Sequence, residues 1–236
     1  MKNASANSEQ KQAAALKAAS LVTADMKVGL GTGSTAAFAI QELGRRAREE
    51  GLRIDCFATS FSASVLAAEA GLRLYPTDSI TALDISIDGA DEIDPALNLI
   101  KGGGAAHTRE KIVHALSARF LVVADASKQV ERLGSTFSVP LEVLPTALGL
   151  VQRSLKELGA TEVPVRMAVK KDGPVITDQG NLIVDARMAI SDPAALEGRL
   201  NAIPGVVENG IFSPLSVKVA AVYIGGPDGV QELTPN

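Results

Sequence analysis

The chain has 236 residues, 46% of them apolar, which is enough for one large domain or two unequal ones with a sizeable core. Its net charge of −4 and lack of tryptophan give no sign of a nucleic-acid footprint, and no apolar run approaches the roughly 20 residues needed to span a bilayer. A single cysteine, Cys56, excludes an intrachain disulfide framework and fits a reducing compartment, as a small buried hydrophobe in a strand.

Residues Met1 to Gln10 are polar and carry no apolar signal core, so a cytoplasmic protein is expected. Ser8 to Val22 is alanine-rich, with Lys11 and Lys17, and predicts a first helix. Lys27-Val-Gly-Leu-Gly reads as a strand running into the turn Gly31-Thr-Gly-Ser-Thr. Ala36, Ile40, Leu43 and Ala47 then keep helical spacing. Strand, glycine loop and helix in that order aim backbone N–H groups at an anion.

Ile54 to Thr59, Leu72 to Tyr75, Asp84 to Ile87 and Phe120 to Ala124 predict further strands. Helical patterns fall over Ser62 to Ala70 and Arg109 to Ala118, the latter with Ile112, Val113 and Leu116 on one face. Such alternation implies a mostly parallel sheet covered on both faces, with ligands at the carboxyl ends of its strands. Gly31, Asp88 and Asp125 all fall at those ends.

After Gly134 the texture changes. Pro140 and Pro145 break the chain, and a helix is expected over Thr146 to Leu158. Strands are expected at Val163 to Val169 and Val175 to Thr177, with Gln179-Gly-Asn turning into Leu182 to Val184. Asp192-Pro193 opens a helix through Ala202, and a strand covers Gly205 to Phe212. The apolar run Val217 to Ile224 is expected to return to the first sheet. This divides the chain into a large discontinuous domain, 1–133 with 212–236, and a small α+β domain, 134–211.

Chemistry concentrates between Asp88 and Lys111. The Gly31 loop fits neither a dinucleotide fingerprint nor a Walker pattern, since Ser34 stands where a third glycine belongs and no Lys-Ser/Thr follows. Hydroxyls on Thr32, Ser34 and Thr35 suit a monophosphate, and equally an N-cap with turn glycines. Asp88 and Asp91 flank Gly89-Ala90, as either a capped turn or a polar site, while Glu92 and Asp94 are expected to face solvent. Lys101-Gly102-Gly103-Gly104 implies positive φ or close backbone approach, with Lys101 placed to face a developing oxyanion. Glu110 serves either the dipole of its helix or general-base work. His107 and His114, seven apart, make a poor metal site, and no Cys/His cluster has metal-ligand spacing.

Four blocks together resemble the ribose-5-phosphate isomerase A family: Gly31-Thr-Gly-Ser-Thr, Asp88-Gly-Ala-Asp-Glu, Lys101-Gly-Gly-Gly-Ala-Ala-x-Thr-Arg-Glu-Lys and Ala124-Asp-Ala-Ser-Lys128. Similarity continues through Pro140-Leu-Glu-Val, Asn201-Ala-Ile-Pro-Gly-Val-Val and Gly226-Pro-Asp-Gly, and so spans nearly the whole chain. The resemblance implies a Rossmann-like sheet domain with a small ferredoxin-like α+β domain, assembled as a dimer or tetramer. It implies interconversion of ribose 5-phosphate and ribulose 5-phosphate in the non-oxidative pentose phosphate pathway, without metal or organic cofactor. Carried over, Thr32, Gly33, Ser34 and Thr35 hold the phosphate with Lys11 as helper. Asp88, Gly89, Ala90, Asp91 and Lys101 to Gly104 line the sugar, Glu110 is the base, and Lys128 contacts substrate. A sugar-phosphate-sensing module is the competing class, but such regulators carry a DNA-binding helix-turn-helix that this chain lacks. The Asp-Gly-Ala-Asp and Lys-Gly-Gly-Gly pair speaks against an amino-sugar-phosphate deaminase or a CoA transferase.

Overall fold

The structure, a computed structural model, describes residues 2–235. These form two compact units, one of residues 2–90, 109–128 and 217–235, the other of residues 91–108 and 129–216.

The first unit is built on a seven-stranded sheet. Its strands are β1 (Lys27–Leu30), β2 (Asp55–Ala58), β3 (Arg73–Leu74), β4 (Ile85–Asp88), β7 (Phe120–Asp125), β12 (Val219–Gly226) and β13 (Gly229–Leu233). In space they run β13-β12-β7-β4-β1-β2-β3. All neighbours are parallel except the β12–β13 hairpin. β7 reads as an unbroken apolar run ending in aspartate and is buried throughout, as a strand covered on both faces must be. The expected return of the last apolar run holds, since Val222 pairs with Val122.

Helices α1 (Lys2–Ala19), α2 (Ser34–Glu49) and α3 (Phe61–Glu69) belong to this unit, with most of α4 (His107–Ala115). Ala14, Ala15, Ala18 and Ala19 are fully buried, and small side chains let α1 approach the sheet closely. The contact is tightest at Gly225, where any Cβ would collide with the backbone of Gln10. On α4, Val113 is buried against Phe57 and Leu83 with Leu116 beside them. Ile112, expected on that face, is 52% exposed, because at helical pitch it points about 100° away from Val113. The sheet order reverses between β1 and β4, and both strands end at the reversal, the crevice where open α/β sheets bind ligands.

The second unit carries a βαββαβ arrangement. Strands β8 (Val139–Val143), β9 (Leu182–Ala186) and β10 (Val206–Asn209) are ordered β10-β8-β9 and are antiparallel. The segment around Val165 adds to β9 through isolated bridges, Glu162 to Arg187 and Val165 to Val184, rather than as a full strand. Helices α5 (Leu148–Glu157) and α6 (Pro193–Asn201) connect these strands, and Asp192 caps α6 by accepting from Ala195 N–H at 3.0 Å. The order is ferredoxin-like. Pro140 does not break the chain as expected. It sits in β8 opposite Asp185, near the strand's start, where its carbonyl accepts from Gly210 N–H.

Two further departures follow from this unit. The expected strand Gly205 to Phe212 splits at Gly210 into β10 and β11 (Ile211–Phe212), where the chain leaves β8 for another partner. No side chain fits at that crossing, since a Cβ would collide with Lys101 O and meet Pro140 Cδ at 2.6 Å. β11 pairs with β6 (Leu99–Ile100), which pairs with β5 (Glu92–Ile93), a small sheet that the sequence reading missed. That pairing is why residues 91–108 pack with the second unit, although the sequence division assigned them to the large domain.

Candidate active site

The first unit holds Lys11, Thr32 to Thr35, Asp88 to Ala90, Glu110 and Lys128, and the second holds Asp91 and Lys101 to Gly104. In the first unit β1 delivers Gly31 directly against Asp88, so closely that any Cβ at Gly31 would overlap the Asp88 carboxyl group. Gly33, at φ 107, then starts α2 as its N-cap, with no side-chain cap bond. A helix of 16 residues therefore opens with its first N–H groups beside the hydroxyls of Ser34 and Thr35. Thr32 is used differently. Its N–H donates to Asp88 Oδ1 at 3.0 Å, and its hydroxyl bonds Ser60 Oγ and Thr59 Oγ1, both at 2.7 Å. Ser60 also caps α3 through Ala63 N–H, so Thr32 ties the loop to the end of β2.

Asp88 is the hub of this edge. Its Oδ1 also accepts the N–H of Gly89 at 2.7 Å, while Oδ2 lies 2.9 Å from His114 Nε2. His114 Nδ1 meets Ser86 Oγ at 3.0 Å, and its ring stacks on Phe120 with centroids 3.9 Å apart. Asp88, His114 and Ser86 are all buried, a polar chain with its hydrogen-bonding groups satisfied. Sequence reasoning missed His114. Its signal is the spacing: His114 follows Glu110 by four residues, so both lie on one face of α4. Glu110 is 4% exposed in the first turn, where the helix N-terminus favours a carboxylate.

Lys11, on α1, lies 3.8 Å from Asp125 Oδ2, and Asp125 Oδ1 accepts from the N–H and hydroxyl of Ser127. Lys128, half-buried, ends the short turn that follows.

In the second unit Lys101 is 3% exposed, with Nζ 5.6 Å from the centre of the Phe212 ring. Gly102 has φ 115, and a Cβ there would meet His107 Nδ1 at 2.7 Å. Gly103 has no room either, since a Cβ would lie 2.8 Å from Asp91 Oδ1. Asp91 Oδ2 accepts the N–H of Gly103 at 2.8 Å. The loop closes through Ala105, a non-glycine residue at φ 58 whose N–H bonds Gly102 O. Gly102 and Gly103 are thus required by close packing on two sides.

Glu92 corrects its expectation of facing solvent. It is fully buried and accepts from Gly134 N–H, Thr136 N–H, Thr136 Oγ1 and Phe137 N–H at 2.6–2.7 Å. Four donors are what a carboxylate needs to tolerate burial without a cation. Asp94 holds its own turn, accepting from Ala96 and Asn98 N–H. Cys56 is buried on β2, and burial pushes its thiol up to about 12, so it takes no part in chemistry at neutral pH. Among the described residues no three His, Cys, Asp or Glu side chains gather as a metal-holding group, and no helix is long and apolar enough to cross a membrane.

The family model for ribose 5-phosphate isomerase A (phosphoriboisomerase A) matches residues 55–229. The ribose-5-phosphate isomerase A of Thermosynechococcus vestitus is 59% identical over 220 residues, 92% of this chain and 91% of that protein. That of Methanosarcina acetivorans is 53% identical, covering 97% of this chain and 95% of the relative. Among solved structures, ribose 5-phosphate isomerase A from Methanocaldococcus jannaschii superposes with a TM-score of 0.92 at 47% identity, covering 97% of this chain and 99% of that one. A D-ribose-5-phosphate isomerase in complex with phospho-erythronic acid gives a TM-score of 0.92 at 43% identity, covering 96% and 98%. The chain belongs to the ribose 5-phosphate isomerase A family.

Proposed function

We propose that this protein interconverts D-ribose 5-phosphate and D-ribulose 5-phosphate through an enediolate. The observation that carries the proposal is the edge where β1 and β4 end. An α2 N-terminus without a side-chain cap stands there next to a buried carboxylate hub. The relatives' shared activity supports the same substrate, as does the solved relative that holds phospho-erythronic acid.

The phosphate sits at the start of α2, on N–H groups and the hydroxyls of Ser34 and Thr35, with Lys11 and Lys128 adding positive charge. Glu110 takes the proton from C2 of the open-chain aldose. The C1 carbonyl oxygen gathers charge as the enediolate forms, the O2 proton passes to O1, and Glu110 returns its proton to C1. One base suffices because the two carbons are adjacent. Lys101 and the glycine-loop N–H groups other than that of Gly103, which Asp91 holds, face the oxyanion. The two aspartates separate by their bonds. Asp88, held by Thr32, Gly89 and His114, fixes the phosphate loop and the sugar's backbone contacts at Gly89 and Ala90. Asp91, holding Gly103 by one oxygen, is the better relay for the hydroxyl proton.

We further propose a cytoplasmic homo-oligomer, a dimer or tetramer. Exposed Leu144, Leu150, Val207 and Leu215 on the second unit support association. The deciding experiment is ketose formation from ribose 5-phosphate by chelator-treated protein. Turnover at wild-type rate is expected, and absent activity, or activity restored only by added metal, overturns the proposal.

A further inference from the structure

Arg166 stands far in sequence from every block that suggested chemistry, yet its guanidinium reaches the loop after Lys101. Nη1 donates to Gly102 O at 2.8 Å and to Gly103 O at 3.1 Å. The other edge of the same group is gripped by Asp185, with Nε to Oδ2 at 2.9 Å and Nη2 to Oδ1 at 2.5 Å. Four of five guanidinium N–H groups are therefore committed, two to a carboxylate and two to successive carbonyls. Both residues stand on firm backbone. Arg166 N–H donates to Ile183 O, Asp185 N–H donates to Pro164 O, and Asp185 lies in β9 opposite Pro140. Asp185 sits in a paired strand and Arg166 in a bridged segment beside it, so both side chains start from hydrogen-bonded backbone.

The consequence for the loop follows from the peptide bond itself. In a trans peptide the C=O and the N–H point in opposite directions. Drawing the carbonyls of Gly102 and Gly103 to Arg166 therefore turns the N–H groups of Gly103 and Gly104 to the far side. Gly103 N–H goes to Asp91, 2.8 Å away, which fixes the loop from that side. A glycine loop with φ 115 at Gly102 has little intrinsic preference for this arrangement, so an outside group must impose it. The cation also polarises both peptides, which strengthens their N–H groups as donors to an anion.

We propose that Arg166, braced by Asp185, is a positioning residue for the isomerase reaction, setting the direction in which the Lys101–Gly104 loop presents its N–H groups. This rests on the function proposed above. Lysine cannot replace it, because an ammonium lacks the planar fork that holds a carboxylate and two carbonyls together.

The test compares the full-length protein with Arg166→Lys, Arg166→Gln, Asp185→Asn and the Arg166→Lys/Asp185→Asn double variant. Three readouts are taken: kcat and KM on ribose 5-phosphate, thermal midpoint, and amide hydrogen exchange over residues 101–106 without substrate. The expected result is a kcat about 10- to 100-fold lower in both Arg166 variants, with KM within about three-fold, as misplacement of a catalytic loop by about 1 Å predicts. Asp185→Asn should fall less, and the double variant no further than Arg166→Lys alone. Exchange over 101–106 should quicken in each. Kcat within two-fold of wild type, or losses that vanish well below the thermal midpoint, would show a merely structural residue and overturn the proposal. If the wild-type protein does not isomerise ribose 5-phosphate, the function falls separately. Unchanged exchange over 101–106 in Arg166→Gln then overturns the clamp on its own.

Discussion

The protein has two glycine loops, and they solve the same problem in different ways. The loop after β1 runs into a 16-residue helix, whose geometry sets the direction of its N–H groups. Its side chains only need to hold the entrance: Asp88 takes the N–H of Thr32, Ser60 takes the proton of its hydroxyl, and the Thr59 hydroxyl bonds the same oxygen. The loop after Lys101 has no helix at its glycines. There the directions are imposed from both sides, with Arg166 on the carbonyls and Asp91 on an N–H. A helix terminus is thus a self-sufficient anion cradle, whereas a bare glycine loop needs side chains assembled around it.

The sharpest test of this contrast removes the base that both loops are proposed to serve. Glu110→Gln should lower kcat by about 10²- to 10⁴-fold with KM little changed, in steady-state assays on ribose 5-phosphate. A near-normal rate would take Glu110 out of the proton transfer. Ser34→Ala with Thr35→Ala should raise KM by at least about 10- to 100-fold, the effect of losing a single bond to a charged group worth roughly 1.5–3 kcal/mol. An unchanged KM would move the phosphate elsewhere and end the comparison. Glu92→Gln leaves at least one of four donors mismatched in a buried site, at a cost of about 1–3 kcal/mol in denaturant titration. A similar cost is expected for His114→Ala, which strips Asp88 Oδ2 of its ring partner and empties the stack on Phe120. In that variant the β1 loop, not the Lys101 loop, should exchange its amides faster. The smallest effect concerns Cys56. Its thiol is raised from 9.0 to about 12 by burial, so the folded state keeps a proton that the unfolded chain releases. Stability from this group is complete below about pH 9 and declines toward pH 12. Native protein should therefore resist alkylation at pH 8, and rapid labelling would show that β2 opens.

Most of the parallel sheet was legible because its signals are local. In β1, β4 and β7 a short, mostly apolar run meets glycine or aspartate, which names a strand and its site end together. The small sheet of β5, β6 and β11 was not, because its strands are two residues long and β6 meets β11 only across more than a hundred positions. Val163 to Val169 read as a strand but makes only scattered bridges, since Pro164 and the turn at Gly173 interrupt its ladder. Among candidate site residues, those in dense motifs could be nominated directly. Arg166 and His114 could not, as each matters through a partner distant in sequence, Gly102 for one and Asp88 for the other. Glu92 was misjudged for the same reason. Its four donors lie more than 40 residues away.

The discontinuity of the first unit bears on how the molecule comes to be made. Val122 pairs with Val222, and the whole stretch 129–216 of the second unit is synthesised between them. Until then β7, apolar up to its terminal Asp125, has one open edge, the condition that invites a neighbouring chain to add a strand. The second unit can form while the first is still unfinished, and β12 then joins β7 as a late, long-range step. Slow emergence of residues 219–226 from the ribosome would prolong that exposure. The yield of native protein is thus expected to respond more to changes around β12 than to equal changes in β1 or β2, whose partners are made within a few dozen residues of each other.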